Sequence, residues 1–147
     1  MTSQSKSASS HIRLLLVEDN APLAEITAEF LSDAGLEVRI VESGEEALAM
    51  AGVFQPEIIL CDMRLPDMSG LDVARALRAN PNTKYAVFAL HSAISDVELR
   101  ALQREINADE VNLFLSKPLT QQKLDSLLSA LEVMRESAHS QRNRRAK

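Results

Sequence analysis

The sequence predicts one doubly wound α/β domain built on a parallel sheet of five strands. Short apolar runs such as LLLV, EIILC and AVFAL alternate with stretches whose apolar residues recur at helical spacing. Runs this short and this continuously apolar are typical of strands buried on both faces of a parallel sheet. The regular alternation of the two patterns favours βα units wound on both sides of one sheet.

The first half of the chain places two strands and two helices before the central strand. A first strand at residues 12–17 is followed by Asn20-Ala21-Pro22, where a capping side chain and an early proline begin a helix. Gly35 is expected at the C-terminal end of that helix, because glycine tolerates a left-handed backbone there. A second strand at residues 36–41 and a short helix from Ser43 to about residue 51 come next.

The second half repeats the pattern three times. Strands are expected at residues 58–61, 86–90 and 112–115, and Ser69-Gly70 begins the helix after the first of these. Leu99, Leu102 and Ile106 mark the next helix. The last helix has the strongest amphipathic pattern of the chain. Its apolar stripe consists of Leu124, Leu127, Leu128, Leu131 and Met134.

Composition excludes several classes of protein. The 147 residues are 46% hydrophobic and 25% charged, which is ordinary for a globular domain. No apolar run approaches the roughly 18 residues of a membrane span, and the Ser-rich N-terminus lacks the apolar centre of a secretory signal. The single cysteine, Cys61, is compatible with a reducing compartment. We therefore expect a cytoplasmic protein without membrane contact.

Charge is distributed unevenly along the chain. The net charge of −5 combines −10 over residues 11–134 with +4 over residues 135–147 and one lysine in the first ten residues. The acidic body argues against nucleic-acid binding by the domain itself. We expect a disordered leader at residues 1–10, a domain at residues 11–138 and a basic tail at residues 139–147. Composition favours a solvated, disordered tail, although it could also contact an acidic partner or nucleic acid.

Polar residues with complementary chemistry follow four of the predicted strands. Glu18-Asp19, Asp62, Ser92-Ala93 and Lys117 each stand at the carboxyl end of an apolar run. Ligands bind at that edge of a parallel sheet. Three carboxylates, a hydroxyl and an ammonium group brought together there suit a divalent cation and a phosphoryl group.

Four segments in this order resemble the receiver domain of two-component response regulators. They are LLLVEDN (residues 14–20), CDMRLPDMSG (61–70), ALHSA (89–93) and FLSKPL (114–119). The resemblance covers residues 11–138 and implies the flavodoxin-like strand order 2-1-3-4-5 with five helices. It also implies a signalling switch rather than an enzyme, although the site assists its own phosphorylation and dephosphorylation.

The resemblance assigns a phosphoacceptor and a metal site. It implies that Asp62 accepts the phosphoryl group as an acyl phosphate. Mg²⁺ is then bound by Asp19 and Asp62 directly, by Glu18 mostly through water, and by the backbone carbonyl of Arg64. Taken singly, Asp62 could instead cap a loop, and Glu18 and Asp19 could simply favour a helix N-terminus through the helix dipole.

The remaining roles concern the phosphoryl oxygens and the switch. By resemblance, Lys117 supplies positive charge, Ser92 donates a hydrogen bond, the Ala93 amide lies beside it, and the Lys117–Pro118 bond is cis. Phe114 is either an aromatic whose rotamer follows Ser92 or a plain core residue, and the sequence leaves both open. Cys61 and His91 are expected to be a core thiol and a packing histidine.

The expected partners are a histidine kinase or histidine phosphotransfer protein, and a downstream protein on the surface of the fourth helix, fifth strand and fifth helix. A departure from the family pattern at residues 106–109 leaves the output partner open.

Alternatives are a receiver fragment of a hybrid histidine kinase, a degenerate docking domain or an Asp-nucleophile phosphohydrolase. The phosphohydrolase class needs a second Asp two residues after the nucleophile, where this chain has Arg64. Phosphate-binding glycine motifs of nucleotide sites are absent from the sequence.

Overall fold

The computed structural model describes the backbone of residues 11–146 and the side chains of residues 11–139, so the predicted leader at residues 1–10 lies outside the described residues. Five strands alternate with five helices. The strands are β1 (Arg13–Val17), β2 (Glu37–Val41), β3 (Ile58–Asp62), β4 (Val87–Ser92) and β5 (Leu113–Ser116). The helices are α1 (Ala21–Asp33), α2 (Gly44–Phe54), α3 (Gly70–Arg78), α4 (Asp96–Glu105) and α5 (Gln121–Ala146).

The strands form one parallel sheet in the order β2-β1-β3-β4-β5, which confirms the predicted topology. The register aligns Val17 of β1 with Cys61 of β3, and Asp62 of β3 with His91 of β4. The carboxyl ends of the three central strands therefore lie side by side. The polar residues that follow them are neighbours in space although they are distant in sequence.

Each face of the sheet has its own apolar core. One face packs against α1 and α5, with Leu16, Leu60 and Leu127 at its centre. The other face packs against α2 and α3, with Ile59, Phe88 and Val73 at its centre. Because both faces are covered, the central strands β1, β3 and β4 are buried along nearly their whole length, as their continuous apolar runs predict.

Side-chain caps begin the first four helices. Asn20, Ser43, Ser69 and Ser95 each accept a hydrogen bond from a backbone N–H in the first turn of the helix that follows. Gly35 has φ of +99°, so the predicted left-handed residue follows the end of α1. Three of these caps, and Gly35, are recognised in the sequence.

Helix α5 is longer than the sequence analysis expects. Its backbone continues to Ala146, so residues 139–146, expected to be a disordered tail, are helical. Arg, Gln and Ala favour a helix locally, and neither glycine nor proline interrupts the segment. Among residues 11–146, no helix combines the length and apolar character needed to cross a membrane.

Candidate functional site

Three carboxylates meet where β1 and β3 end. Glu18 follows β1 directly, and Asp62 is the last residue of the neighbouring strand β3. One carboxylate oxygen from each of Glu18, Asp19 and Asp62 lies within 4.8 Å of the other two. Glu18 is buried, Asp62 is half-buried and Asp19 is exposed, so the cluster opens to solvent on the side of Asp19.

Lys117 joins two of these carboxylates. Its Nζ lies 2.7 Å from Oε1 of Glu18 and 3.2 Å from Oδ2 of Asp62. The side chains of Lys117 and Asp62 are only 14% and 16% exposed. Burial alone would lower the pKa of Lys117, but the hydrogen bond to Glu18 and the charge of Asp62 outweigh it and raise that pKa above its ordinary value. The ammonium group is therefore charged throughout the physiological range.

Backbone contacts fix the carboxylates. The Glu18 amide donates to the Val41 carbonyl at the end of β2, at 3.0 Å, and Oε2 of Glu18 accepts from the Asn20 amide at 3.2 Å. The Arg64 amide donates to Oδ1 of Asp62 at 3.3 Å. These bonds leave one oxygen of each carboxylate to pair with Lys117.

Gly70 allows α3 to begin directly against the end of β3. A Cβ atom at this position would lie 2.4 Å from the Asp62 carbonyl oxygen and 2.7 Å from Leu90. Such contacts are shorter than real Cβ atoms make, so any other residue would displace the backbone of Asp62. The glycine that the sequence analysis places in the family motif thus has a steric reason.

The carboxylate cluster suits a hard cation. Its donors are oxygens only, and Mg²⁺ prefers a few carboxylate oxygens together with water over an all-protein cage. Among the three, Asp19 and Asp62 are the more accessible, whereas Glu18 is buried against Lys117. The donor set therefore fits Mg²⁺, with Asp19 and Asp62 the better placed to contact it.

Ser92 and Phe114 lie on one face of adjacent strands. Leu90 of β4 is aligned with Phe114 of β5, and Ser92 is two residues beyond Leu90 on the same face. Oγ of Ser92 accepts from the Ile94 amide at 3.3 Å. Phe114 is half-buried and packs against the core on the α3 side. Ala93 is exposed beside them.

The end of β5 is tied to β4 at Lys117. The Lys117 amide donates to the Ser92 carbonyl at 2.7 Å, and the Lys117–Pro118 peptide bond is cis, as the resemblance implies.

Cys61 and His91 are buried, as the sequence analysis predicts. Burial, together with the charges of Asp62 and Glu18, raises the pKa of the Cys61 thiol far above its ordinary value. Burial and the nearby Lys117 and Lys123 lower the pKa of His91 to about 4. Its Nε2 atom has no hydrogen-bond partner among the described residues. Both groups are therefore uncharged at neutral pH.

Sequence reasoning missed two charged residues around the site. Nζ of Lys123, in the first turn of α5, donates to the Ser116 carbonyl at 2.7 Å, to its hydroxyl at 2.9 Å and to the Pro118 carbonyl at 3.0 Å. The carboxylate of Asp67 bonds to the beginning of α2. Nothing in the sequence distinguishes either from a solvated surface charge.

The parallel sheet thus brings three carboxylates and a lysine together at the carboxyl edge of its strands. The family model of the response regulator receiver domain matches residues 14–129. The chain therefore belongs to the response regulator receiver domain family of two-component systems.

Curated proteins and solved structures include relatives of this chain. A response regulator receiver protein of Anaeromyxobacter is 42% identical over 63% of this chain and 39% of its own length. The cell cycle transcriptional regulator CtrA of Caulobacter vibrioides is 30% identical over 88% of this chain and 54% of its own length. A CheY-like receiver domain from Methylobacillus flagellatus superposes with a TM-score of 0.69, at 27% identity, over 83% of this chain and 99% of that one. The chain therefore spans only about half of the length of one of these curated relatives and less of the other.

Proposed function

We propose that this chain takes a phosphoryl group from a phosphohistidine of a kinase or phosphotransfer protein onto Asp62, with Mg²⁺ as cofactor, and that phosphorylation changes which partner it binds. The observation that carries the proposal is the contact of Lys117 with both Asp62 and Glu18 inside the carboxylate cluster. An ammonium group held beside a half-buried carboxylate is suited to neutralise the oxygens of an incoming phosphoryl group.

Asp62 acts as the nucleophile. One of its carboxylate oxygens forms a bond to phosphorus while the P–N bond of the phosphohistidine breaks and its electron pair returns to the imidazole. The protein contributes by positioning and charge neutralisation, as is general for phosphoryl transfer. Lys117, which keeps its proton, offsets the charge gathered on the phosphoryl oxygens, and the Ser92 hydroxyl and Ala93 amide are hydrogen-bond donors for them.

The metal ion would be held by Asp19, Asp62 and the Arg64 carbonyl, with Glu18 acting through water. When bound, Mg²⁺ supplies positive charge that lets several carboxylates and a phosphoryl group share one small volume. Glu18 is partly neutralised by Lys117 already. Asp19 has no such partner among the hydrogen bonds and ion pairs found in residues 11–139, which makes it the carboxylate most dependent on a cation.

Phosphorylation with a small donor such as acetyl phosphate tests the nucleophile. Wild type should take up an acid-stable, base-labile label in the presence of Mg²⁺, and Asp62→Asn should take up none. Asp72→Asn, which changes a carboxylate in the first turn of α3, is the matched control and should be labelled normally. Labelling of Asp62→Asn at the wild-type rate would contradict the assignment.

Thermal unfolding tests the metal site independently. A ligand that binds only the folded state stabilises it by mass action, so millimolar Mg²⁺ should raise the Tm of wild type. Asp19→Asn should lose that increase. A wild-type Tm that does not respond to Mg²⁺ would contradict a metal site at this position.

The partner surface is proposed to lie on α4, β5 and α5, and switching is proposed to pass through Ser92 and Phe114. Both residues lie on the same face of adjacent strands, and Phe114 belongs to β5, a strand of the proposed surface, which supports this route. Whether the chain acts alone or as the receiver of a larger hybrid kinase can be tested by isolating the native protein and determining its full length.

A further inference from the structure

The loop between β3 and α3, residues 63–69, carries the Arg64 carbonyl. The carboxylate of Asp67 in the same loop is hydrogen-bonded to the beginning of α2. We propose that Asp67 is a positioning residue for the metal site: its carboxylate clamps this loop to the N-terminus of α2 and thereby holds Arg64 in place. The inference rests on the proposed function, because it concerns the same Mg²⁺ site.

The carboxylate of Asp67 makes two hydrogen bonds across a long sequence separation. Oδ1 accepts from the Gly44 amide at 2.8 Å, and Oδ2 accepts from the Glu45 amide at 2.9 Å. These are N–H groups of the first turn of α2, which lack partners within the helix. The same two bonds hold the pKa of Asp67 below its ordinary value, so the clamp is charged at neutral pH.

Packing closes the joint next to this clamp. Met68 lies so close to Gly44 that a Cβ atom on the glycine would come within 2.3 Å of Met68 Cγ. The loop therefore approaches α2 through both a charged and an apolar contact. A side chain at position 44 would require the Met68 side chain to move away from this joint.

Hydrogen bonds within the loop connect Asp67 to Arg64. The Leu65 amide donates to the Met68 carbonyl at 3.1 Å, and the Gly70 amide donates to the Met63 carbonyl at 2.8 Å. Arg64 and Ser69 form an isolated antiparallel bridge. The loop is thus a small closed ladder with Asp67 in its turn, so a displacement of Asp67 is expected to move Arg64 as well.

The anchor also reaches the other carboxylates. Helix α2 begins shortly after Val41, whose carbonyl accepts from the Glu18 amide. Asp67 thus ties the segment after β3 to the segment after β2, which in turn contacts the end of β1. Groups outside the coordination shell that fix the geometry of a metal ligand commonly control metal affinity, and Asp67 would act in this way through the loop that carries Arg64.

Magnesium titration of three variants tests the inference. The binding of Mg²⁺ alone is followed by amide chemical shifts, and hydrogen exchange at the Gly44 and Glu45 amides reports on the clamp. We expect Asp67→Ala to raise the Kd for Mg²⁺ about 10-fold and to speed exchange at both amides. Asp67→Asn keeps one acceptor oxygen and should give a smaller increase.

Ser43→Ala is the matched control. Ser43 caps the same helix by accepting from the Glu46 amide at 3.1 Å, but its hydroxyl bonds to α2 itself rather than to the loop. It should lower the stability of α2 and leave the Kd for Mg²⁺ unchanged. An equal rise in Kd for Ser43→Ala and Asp67→Ala would overturn the inference in favour of a general effect of helix stability.

Two further outcomes separate this inference from the proposed function. If wild type binds Mg²⁺ and Asp67→Ala binds it equally well, the positioning role is wrong and the metal site stands. If wild type does not bind Mg²⁺ at all, the proposed function is wrong and the inference falls with it.

Discussion

Helices α3 and α4 follow the two strands that end in Asp62 and Ser92, and they are held very differently. Both begin with the same reciprocal cap, formed by Ser69 with Asp72 in α3 and by Ser95 with Glu98 in α4. Yet four of the nine residues of α3 are buried, whereas only Leu99 is buried among the ten of α4. Similar local sequence thus produces helices with unequal attachment to the core.

The difference indicates where the domain can move at low cost. Segments with few buried apolar contacts open with the smallest free energy. On the side of Asp62, the proposed phosphoacceptor, α3 is anchored in the core by four buried residues, whereas α4 on the side of Ser92 has one. A switch that passes from Ser92 towards α4 would therefore disturb little packing.

Arg78, the last residue of α3, restrains the far end of this looser region. Its guanidinium donates to the carbonyls of Lys84, Ala86 and Glu110 and to the side-chain oxygen of Asn112. The connection from α4 to β5, just beyond the segment that departs from the family pattern, is consequently tied to α3 at Glu110 and Asn112. Movement of α4 is then expected at its N-terminal end rather than at the connection to β5.

The largest expected effect comes from removing one buried leucine from each helix. Leu77→Ala in α3 should lower the free energy of unfolding by about 4 kcal/mol and Leu99→Ala in α4 by about 2 kcal/mol, within the range for buried leucines. Leu77 is 2% exposed and belongs to the core cluster on the α3 side. Leu99 is 6% exposed and is the buried residue of α4, so α4 can move to reduce the cavity that its truncation leaves. Urea unfolding measures the loss of free energy of unfolding in each variant. Equal losses would contradict the unequal attachment of α3 and α4 to the core.

Between pH 7 and pH 5, acid should destabilise the domain at β4 through His91. The pKa of His91 is lowered from 6.5 to about 4 in the folded state. Between these two pH values the unfolded state therefore binds a proton at His91 that the folded state does not bind. Stability is complete above the ordinary pKa of 6.5 and is lost as pH falls towards 4. Wild type should lose about 2 kcal/mol between pH 7 and pH 5 from this group.

The matched variant for this effect is His91→Leu, which cannot be protonated. Its stability should vary less between pH 7 and pH 5 than that of wild type, by the amount assigned to His91. Cys61 occupies the corresponding place before Asp62 on β3, and its thiol stays neutral over this range because its pKa is raised. Identical pH dependence in wild type and His91→Leu would refute the assignment.

Local patterns in the sequence predict the strands, most helix beginnings and the residues that meet at the sheet edge. They do so because parallel strands leave continuous apolar runs and because Asp62 and Lys117 immediately follow such runs. Lys123 and Asp67 were missed because their partners are backbone groups distant in sequence, which no spacing rule connects. The length of α5 was missed because a charged composition was weighed above the helix preference of its residues.

The smallest expected change in stability comes from Ser92→Ala, which removes one hydroxyl and the hydrogen bond it accepts from Ile94, at a cost of about 1 kcal/mol. Its effect on switching should be larger, since a bound phosphoryl group can shift α4 only through contacts that differ between the two states.

With a beryllium-fluoride phosphoryl mimic, wild type should show amide shifts concentrated in residues 96–105 of α4 rather than 70–78 of α3. Ser92→Ala should bind the mimic and lose the α4 shifts. Ser116→Ala removes the aligned hydroxyl on β5, which binds Lys123 instead, and should keep them. If α4 responds equally in Ser92→Ala and wild type, the loose attachment of α4 has no part in signalling through Ser92.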